Sequence, residues 1–132
     1  MKTGAMFGGL RNYEDFHYYK SNAFITFDTA YEEGRYVIFS VCTVSTRPAD
    51  RHYLDFARLC SNQIDWRQEE IDALEQYSLY HTSLSVQPDD QLLLLVTCVD
   101  ADTDRRVVAA RRIRRDETEG MLQRSINNAA KK

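Results

Sequence analysis

The sequence has no long apolar run and little glycine or proline. Its longest unbroken apolar segment is Leu92 to Val96, far shorter than the roughly 20 residues that a membrane-spanning helix needs. With 5 glycines, 2 prolines, 43% apolar and 28% charged residues in 132, neither a fibrous repeat nor disorder is expected. Residues 1–6 lack the apolar stretch of a signal peptide. We therefore expect one folded domain.

Cysteine is also scarce. Cys42, Cys60 and Cys98 are separated by 18 and 38 residues, and no pair has the CxxC spacing. This pattern argues against a zinc site and against a disulfide framework, so we predict no metal site and at least one free or intermolecular thiol.

Charge is unevenly distributed along the chain. Residues 1–104 have a formal charge of −9 and residues 105–132 one of +6. A basic segment can indicate a nucleic-acid or anionic partner, but it can equally be a solvated edge strand. Because aromatic residues are not interleaved with these arginines, we predict no nucleic-acid binding.

The first part of the chain predicts a helix and a β-hairpin. Residues 13–20 are expected to form a short helix with Asn12 as its N-cap and Asp15 at the third helical position. The β-rich runs 23–28 and 35–44 flank a Glu-Glu-Gly turn, which indicates a hairpin.

Two helices are then expected after Pro48. Asp50 is placed to cap the first, and Asp65 with Gln68 forms a capping-box pattern at the second. The residues expected to face inward are Leu54, Ala57, Cys60, Ile71, Leu74 and Tyr77.

The chain ends with two predicted strands and a tail. Residues 91–98 and 105–113 are of apolar and alternating type, and acidic turns precede both. Residues 116–132 have few apolar anchors, so we expect a weakly ordered tail with one or two helical turns.

Cys98 is the residue most suggestive of chemistry. It ends an apolar strand and precedes an acidic loop, and the Arg105–Arg106 pair begins the next strand. A nearby guanidinium can favour the thiolate and hold an oxyanion, which suits acyl transfer through a thioester. The alternative is a buried packing residue, the commoner role of a free cysteine.

Residues 94–98 (LLVTC) and 106–111 (RVVAAR) resemble the sortase signature. In that signature a TLxTC strand ends in the nucleophilic cysteine, and the catalytic arginine begins the next strand. Further segments look like the class B sortases in order and spacing: GAMFGGL at 4–10, FITFDT at 24–29, YVIFSV at 36–41 and YSLY at 77–80.

The resemblance implies an α+β, mainly β fold. This would be a sortase-like β-barrel, complete or lacking its early strands, with a helical insertion before the cysteine strand. Residues 1–115 would be the C-terminal part of the catalytic domain and residues 116–132 a tail. Without the early strands the barrel would have open edges.

The resemblance also implies the site residues. Cys98 matches the nucleophile and Arg106 the transition-state arginine, whereas Arg105 fits one place early. Thr97 and Val96 match substrate-binding positions. Val96 departs from the usual Ser, and Leu94 stands where the motif has its first Thr.

The family histidine is not matched by any residue of this sequence. It would fall just before Met1, together with the upstream strands and the membrane anchor that the family carries. His17, His52 and His81 do not align with it, and a surface or half-buried role is the simpler interpretation of each.

The function implied is a cysteine transpeptidase without cofactor. It would cleave a sorting-signal peptide and transfer the acyl group to an amine of cell wall precursor or pilin, at the extracytoplasmic face of a Gram-positive cell. The alternative is a truncated or degenerate sortase that binds a peptide or protein without turnover, because a thiol without its histidine lacks the group that protonates the leaving amine.

Overall fold

The computed structural model describes residues 9–27, 34–99 and 104–132. The strands are β1 Phe24–Thr26, β2 Arg35–Ser45, β3 Tyr80–His81, β4 Leu92–Cys98, β5 Asp104–Arg112 and β6 Ala130–Lys131. The helices are a 3₁₀ helix Gly9–Glu14, α1 Phe16–Ser21, α2 Phe56–Leu59, α3 Ile64–Tyr77 and α4 Glu119–Asn127. Three stretches with sequence expectations lie outside the described residues: the segment 4–8, the Glu32-Glu33 turn and the loop 100–103.

A curled antiparallel sheet forms half of a barrel. Its strand order is β1-β2-β5-β4, and Phe24 pairs with Val37 in the β1–β2 ladder. The α+β, mainly β class, the hairpin and the two late strands are therefore confirmed. Within the described part of the chain β4 pairs with β5 alone, so the other edge of β4 is open.

The core lies along β2 and β5, which are rich in β-branched residues. Val37, Val41, Val107 and Val108 have at most 1% of their surface exposed. Burying one such side chain contributes about 1.5–3 kcal/mol relative to leaving it in water. This packing fixes the position of β5. In the described residues, β5 is the only strand that pairs with β4, the strand that ends at Cys98.

Helix α3 covers one face of the sheet. Ile71 and Leu74 are fully buried, and the Ser40 hydroxyl donates to the Leu74 carbonyl at 2.6 Å. Since Ser40 is followed at two-residue steps by Cys42 and Val44, all three side chains lie on the α3 side of β2.

The predicted helix caps were wrong at three places. Asp15, not Asn12, is the N-cap of α1, where its carboxylate accepts from the His17 amide at 2.9 Å. Asp55 caps α2, because Asp50 accepts instead from the Ser45 hydroxyl at 2.5 Å.

The third wrong cap concerns α3. This helix begins after Gln63, whose side chain makes no capping bond, and Asp65 lies in the first turn.

The C-terminal segment is better ordered than expected. Helix α4 is capped by the Thr118 hydroxyl and buries Leu122 and Ile126. After it, β6 pairs with β3. The helical turns predicted for this segment are present, but the segment packs against the core, because two apolar anchors four residues apart are enough to dock a short helix.

Candidate active site

Cys98 lies at the loop end of the β4–β5 hairpin. It is the last residue of β4 and is exposed. Its partner across the ladder is Arg105, and the next pair outward is joined by the Val99 amide, which donates to the Asp104 carbonyl at 3.3 Å. A thiol in this position is open to a ligand.

The pairing register assigns the neighbouring side chains to the two faces of the sheet. Directly opposite residues share a face, and successive residues alternate. Cys98 therefore shares its face with Arg105 and, on its own strand, with Val96. Thr97 pairs with Arg106, and these two lie on the other face.

The two arginines have different partners. The Arg106 Nε donates to a carboxylate oxygen of Glu14 at 2.7 Å, and its side chain is only 20% exposed. The Arg105 Nη1 donates to the Asp104 carbonyl at 2.9 Å. The Glu14 partner could not be found in the sequence, because it is 92 residues away from Arg106.

A cavity lies farther along β4, on the face that carries Cys98. Leu92 and Leu94 follow Val96 on the same face, and they line a cavity of about 440 Å³ with Leu59, Cys60, Ser61, Asn62 and Arg67. Cys98 is about 13 Å from Leu94 at about 3.3 Å per residue. An extended peptide attached to Cys98 could therefore reach this cavity. The apolar run of β4 was visible in the sequence, but the α2–α3 wall opposite it was not.

The other cysteines differ from each other. Cys42 is buried in β2, and burial raises the pKa of its thiol to about 11, which confirms the predicted packing role. Cys60 is exposed at the C-terminal end of α2. The prediction that it packs inward was wrong, because the neighbouring Leu59 takes the buried position at this end of α2.

None of the three histidines makes a hydrogen bond to Cys98. His17 lies in α1 and His81 in β3, both exposed. The His52 ring contacts Tyr77 edge to face, with ring centroids 5.1 Å apart. His52 also lines a cavity of about 510 Å³ near the end of β2.

The described residues contain neither a candidate metal cluster nor a helix that could span a membrane. No group of three or more His, Cys, Asp or Glu side chains there is arranged to hold a metal ion. In the same residues, no helix combines the length and apolar character needed to cross a membrane.

The fold is similar to that of solved sortase B structures. A Bacillus anthracis protein similar to sortase B is 29% identical with a TM-score of 0.65, over 88% of this chain and 50% of that one. Staphylococcus aureus sortase B is 25% identical with a TM-score of 0.64, over 82% and 50%. Sortase B from the type II pilus of Streptococcus pneumoniae is 23% identical with a TM-score of 0.65, over 81% and 59%.

These similarities show a sortase B-like fold and confirm the resemblance inferred from the sequence. The chain spans about half the length of the solved structures it matches. No protein-family model and no curated protein matches the sequence.

Proposed function

We propose that this chain is the cysteine-bearing part of a sortase-type transpeptidase, in which residues 1–115 form the catalytic unit. The observation that carries the proposal is the exposed Cys98 thiol at the end of β4, paired across the hairpin with an arginine, in a sortase B-like fold. The enzyme would cleave a sorting-signal peptide and pass its acyl group to an amine.

The reaction would have two balanced steps. The Cys98 thiolate attacks a peptide carbonyl carbon, a C–S bond forms, the C–N bond breaks, and the leaving amine takes a proton. An acceptor amine then attacks the thioester, an amide forms, and the C–S bond breaks to return the thiolate. Each tetrahedral intermediate carries an oxyanion that a guanidinium can stabilise.

A guanidinium from the Arg105–Arg106 pair would supply that stabilisation. The motif match assigns the role to Arg106, whereas the register puts Arg105 on the face of Cys98. The proton for the leaving amine would come from the family histidine, which the alignment places before Met1. None of His17, His52 and His81 is hydrogen-bonded to Cys98.

The β4 face that carries Cys98 and leads to the cavity at Leu92 and Leu94 suits a peptide donor. Val96 lies on the Cys98 face and would contact the bound peptide through its methyl groups, since it lacks the hydroxyl that the family commonly has there. Thr97 is proposed as substrate-binding from the motif alone, because the register turns it to the Arg106 face.

The solved relatives indicate the substrate classes. One structure is a Staphylococcus aureus sortase B–substrate complex, and another is a sortase B complexed with triglycine. By extension, the donor here would be a surface-protein sorting signal and the acceptor an amine of cell wall precursor or pilin. The reaction would then take place at the extracytoplasmic face of a Gram-positive cell.

The second candidate is a sortase-like module that binds a peptide without turnover. The specific observations in its favour are Val96 in place of a hydroxyl residue and the lack of a histidine bonded to Cys98. Turnover decides between the two functions.

The test uses single cysteine variants of the chain, extended by a segment that carries the family histidine. With a sorting-signal peptide as donor and triglycine as acceptor, Cys98→Ala should abolish the ligated product. Cys42→Ala and Cys60→Ala should retain it, and they serve as matched controls. Ligated product from Cys98→Ala would refute the assignment, whether or not Cys42→Ala and Cys60→Ala still form product. No product from the unsubstituted chain would favour the binding module.

A further inference from the structure

The cavity of about 510 Å³ beside His52 borders the edge of β2 that faces away from β5. We propose that this cavity binds the free amino terminus of an extended peptide, through main-chain hydrogen bonds to Thr43 and an ammonium contact with Asp104. Its volume is within the range of about 300–1,000 Å³ that is typical of ligand sites. The site is independent of the proposed function, because it lies apart from the Cys98 thiol.

The main chain of β2 directs every second residue toward this cavity. In an antiparallel ladder, alternate residues turn their N–H and C=O groups away from the partner strand. The Val41 carbonyl does so and accepts from the Leu79 amide at 2.8 Å. The Ser45 amide also points outward and donates to the His52 carbonyl at 2.8 Å. Thr43 lies midway between these two residues, so its N–H and C=O point the same way.

Thr43 is the gap in this row of hydrogen bonds. Among the described residues, its main-chain N–H and C=O have no partner, and the residue is exposed and borders the cavity. Strand β1 does not cover the gap, because it pairs only with residues 35–37 of β2. A donor and an acceptor on one extended residue match the C=O and N–H of one residue of an extended peptide. Leu79 and His52 occupy the edge on either side, so the gap suits a peptide end rather than a long strand.

Ser45 brings two carboxylates to one end of the gap. Its hydroxyl donates to Asp50 at 2.5 Å, and its ladder partner is Asp104. Asp50 is already paired with Arg47. The Asp104 side chain, in contrast, has no hydrogen bond or ion pair within the described part of the chain. Both carboxylates line the cavity together with Arg51, and Asp104 is the one available to a cation.

The two features fit one ligand. Ser45 is two residues from Thr43, which is about 7 Å along a strand at about 3.3 Å per residue. A peptide whose second residue bonds to Thr43 therefore places its terminal ammonium near Asp104. Hydrogen bonds between an ammonium and a carboxylate are stronger than those between neutral groups, so a free amino terminus is favoured over an internal peptide segment.

The site is separate from the thiol. Cys98 pairs with Arg105, and Arg105 pairs in turn with Val44. Two strand spacings of about 4.8 Å therefore separate Cys98 from β2. A protonated amine held by a carboxylate is not a nucleophile, so the occupant is not the acceptor amine of acyl transfer. It is a peptide bound in addition to the reactants at Cys98.

The experiment titrates the isotope-labelled 132-residue chain with triglycine amide, which has a charged amino terminus and a neutral carboxyl end. Backbone amide chemical shifts show where the probe binds and how tightly. N-acetyl-triglycine amide is the matched probe without the ammonium.

Three variants test the two contacts. Thr43→Pro removes the outward N–H at an edge position, where proline is tolerated because the ladder with β5 does not use that group. Thr43→Val keeps the N–H and is its control. Asp104→Asn removes the charge that would meet the ammonium. Melting temperatures report on the folding of each variant.

We expect saturable shifts at the Thr43 and Ser45 amides, with the acetylated probe binding about three- to tenfold more weakly. Asp104→Asn should weaken binding of triglycine amide by a similar factor and leave the acetylated probe unchanged. Thr43→Pro should weaken both probes about fivefold, as expected for loss of one hydrogen bond. Thr43→Val should stay within about twofold of the unsubstituted chain.

Shifts confined to Cys98 and its neighbours on β4, or equal affinity of the unsubstituted chain for the two probes, would overturn the inference. If Thr43→Pro does not fold, Asp104→Asn with the two probes decides the matter, and equal weakening of both probes would count against an ammonium contact. Acyl transfer does not enter this measurement, so its outcome leaves the proposed function to its own test.

Discussion

Arg111 is a charged side chain held almost completely inside the molecule. It is 1% exposed, and its guanidinium makes two parallel bonds to Glu117, at 2.7 and 2.8 Å. The Glu117 carboxylate also accepts from the Arg114 amide at 2.9 Å. Glu117 therefore neutralises the buried Arg111 guanidinium and connects the end of β5 to the segment that leads into α4.

Glu117→Gln should destabilise the fold by about 3 kcal/mol, since it leaves a buried guanidinium without its counter-charge. The matched control is Glu119→Gln, which removes a surface ion pair with Arg35 and should cost far less. Urea unfolding at pH 7 measures both. Equal losses in the two variants would contradict the burial argument.

The same pair predicts a pH dependence. The Arg111 guanidinium holds the pKa of Glu117 below its usual value of 4.5. A carboxylate with a depressed pKa contributes stability that is present above its unfolded-state pKa and is lost as the pH falls through the folded-state value. Glu117→Gln should therefore lose less stability on acidification than the unsubstituted chain, and an unchanged pH profile would count against this account.

Helix α4 shows how a short element is stabilised by docking. A nine-residue helix is too short to be stable alone in water, yet Ile126 is fully buried and Leu122 is 5% exposed. Two links to distant segments hold it. Glu119 pairs with Arg35, and the Gln123 side chain donates to the Lys20 carbonyl at 3.0 Å.

Ile126→Ala should lower the free energy of unfolding by about 2–4 kcal/mol through lost burial and a residual cavity. Met121→Ala is the control in the same helix, because Met121 is 51% exposed and its truncation should cost less than about 0.5 kcal/mol. Chemical denaturation compares the two variants. A small effect of Ile126→Ala would mean that α4 is a weakly attached tail, as the sequence first suggested.

The strands could be predicted from the sequence, but the helix caps could not. The runs 91–98 and 105–113 carry their own signal in apolar and β-branched residues, and β4 and β5 follow them closely. Asp50 looked like a cap from its neighbours, but its hydroxyl partner Ser45 belongs to the preceding strand. Local patterns offer several candidate caps, and tertiary contacts choose among them.

The candidate site, too, could be predicted only in part from the sequence. The position of Cys98 at a strand end followed from the sequence. The face on which each arginine lies did not, because it depends on a one-residue difference in register. The Glu14–Arg106 ion pair links residues far apart in the chain and has no local signal.

The described residues contain a half-barrel with Cys98 on its open edge strand. In the described residues β4 has a strand on one side only, and the chain spans about half the length of the sortase B structures it matches. We expect catalysis to need the family's proton donor, since none of His17, His52 and His81 is hydrogen-bonded to Cys98. General acid and base catalysis is typically worth about 10²–10⁴ in rate.

The most direct measurement is the mass of the acyl-thioester on Cys98. The 132-residue chain and its upstream-extended form are each incubated with a sorting-signal peptide without acceptor, and the acylated residue is identified by peptide mass spectrometry. The account predicts a thioester on Cys98 alone, formed at least about a hundredfold more slowly by the shorter chain. Acylation at Cys60, no acylation in the extended chain, or equal rates in both chains would contradict it.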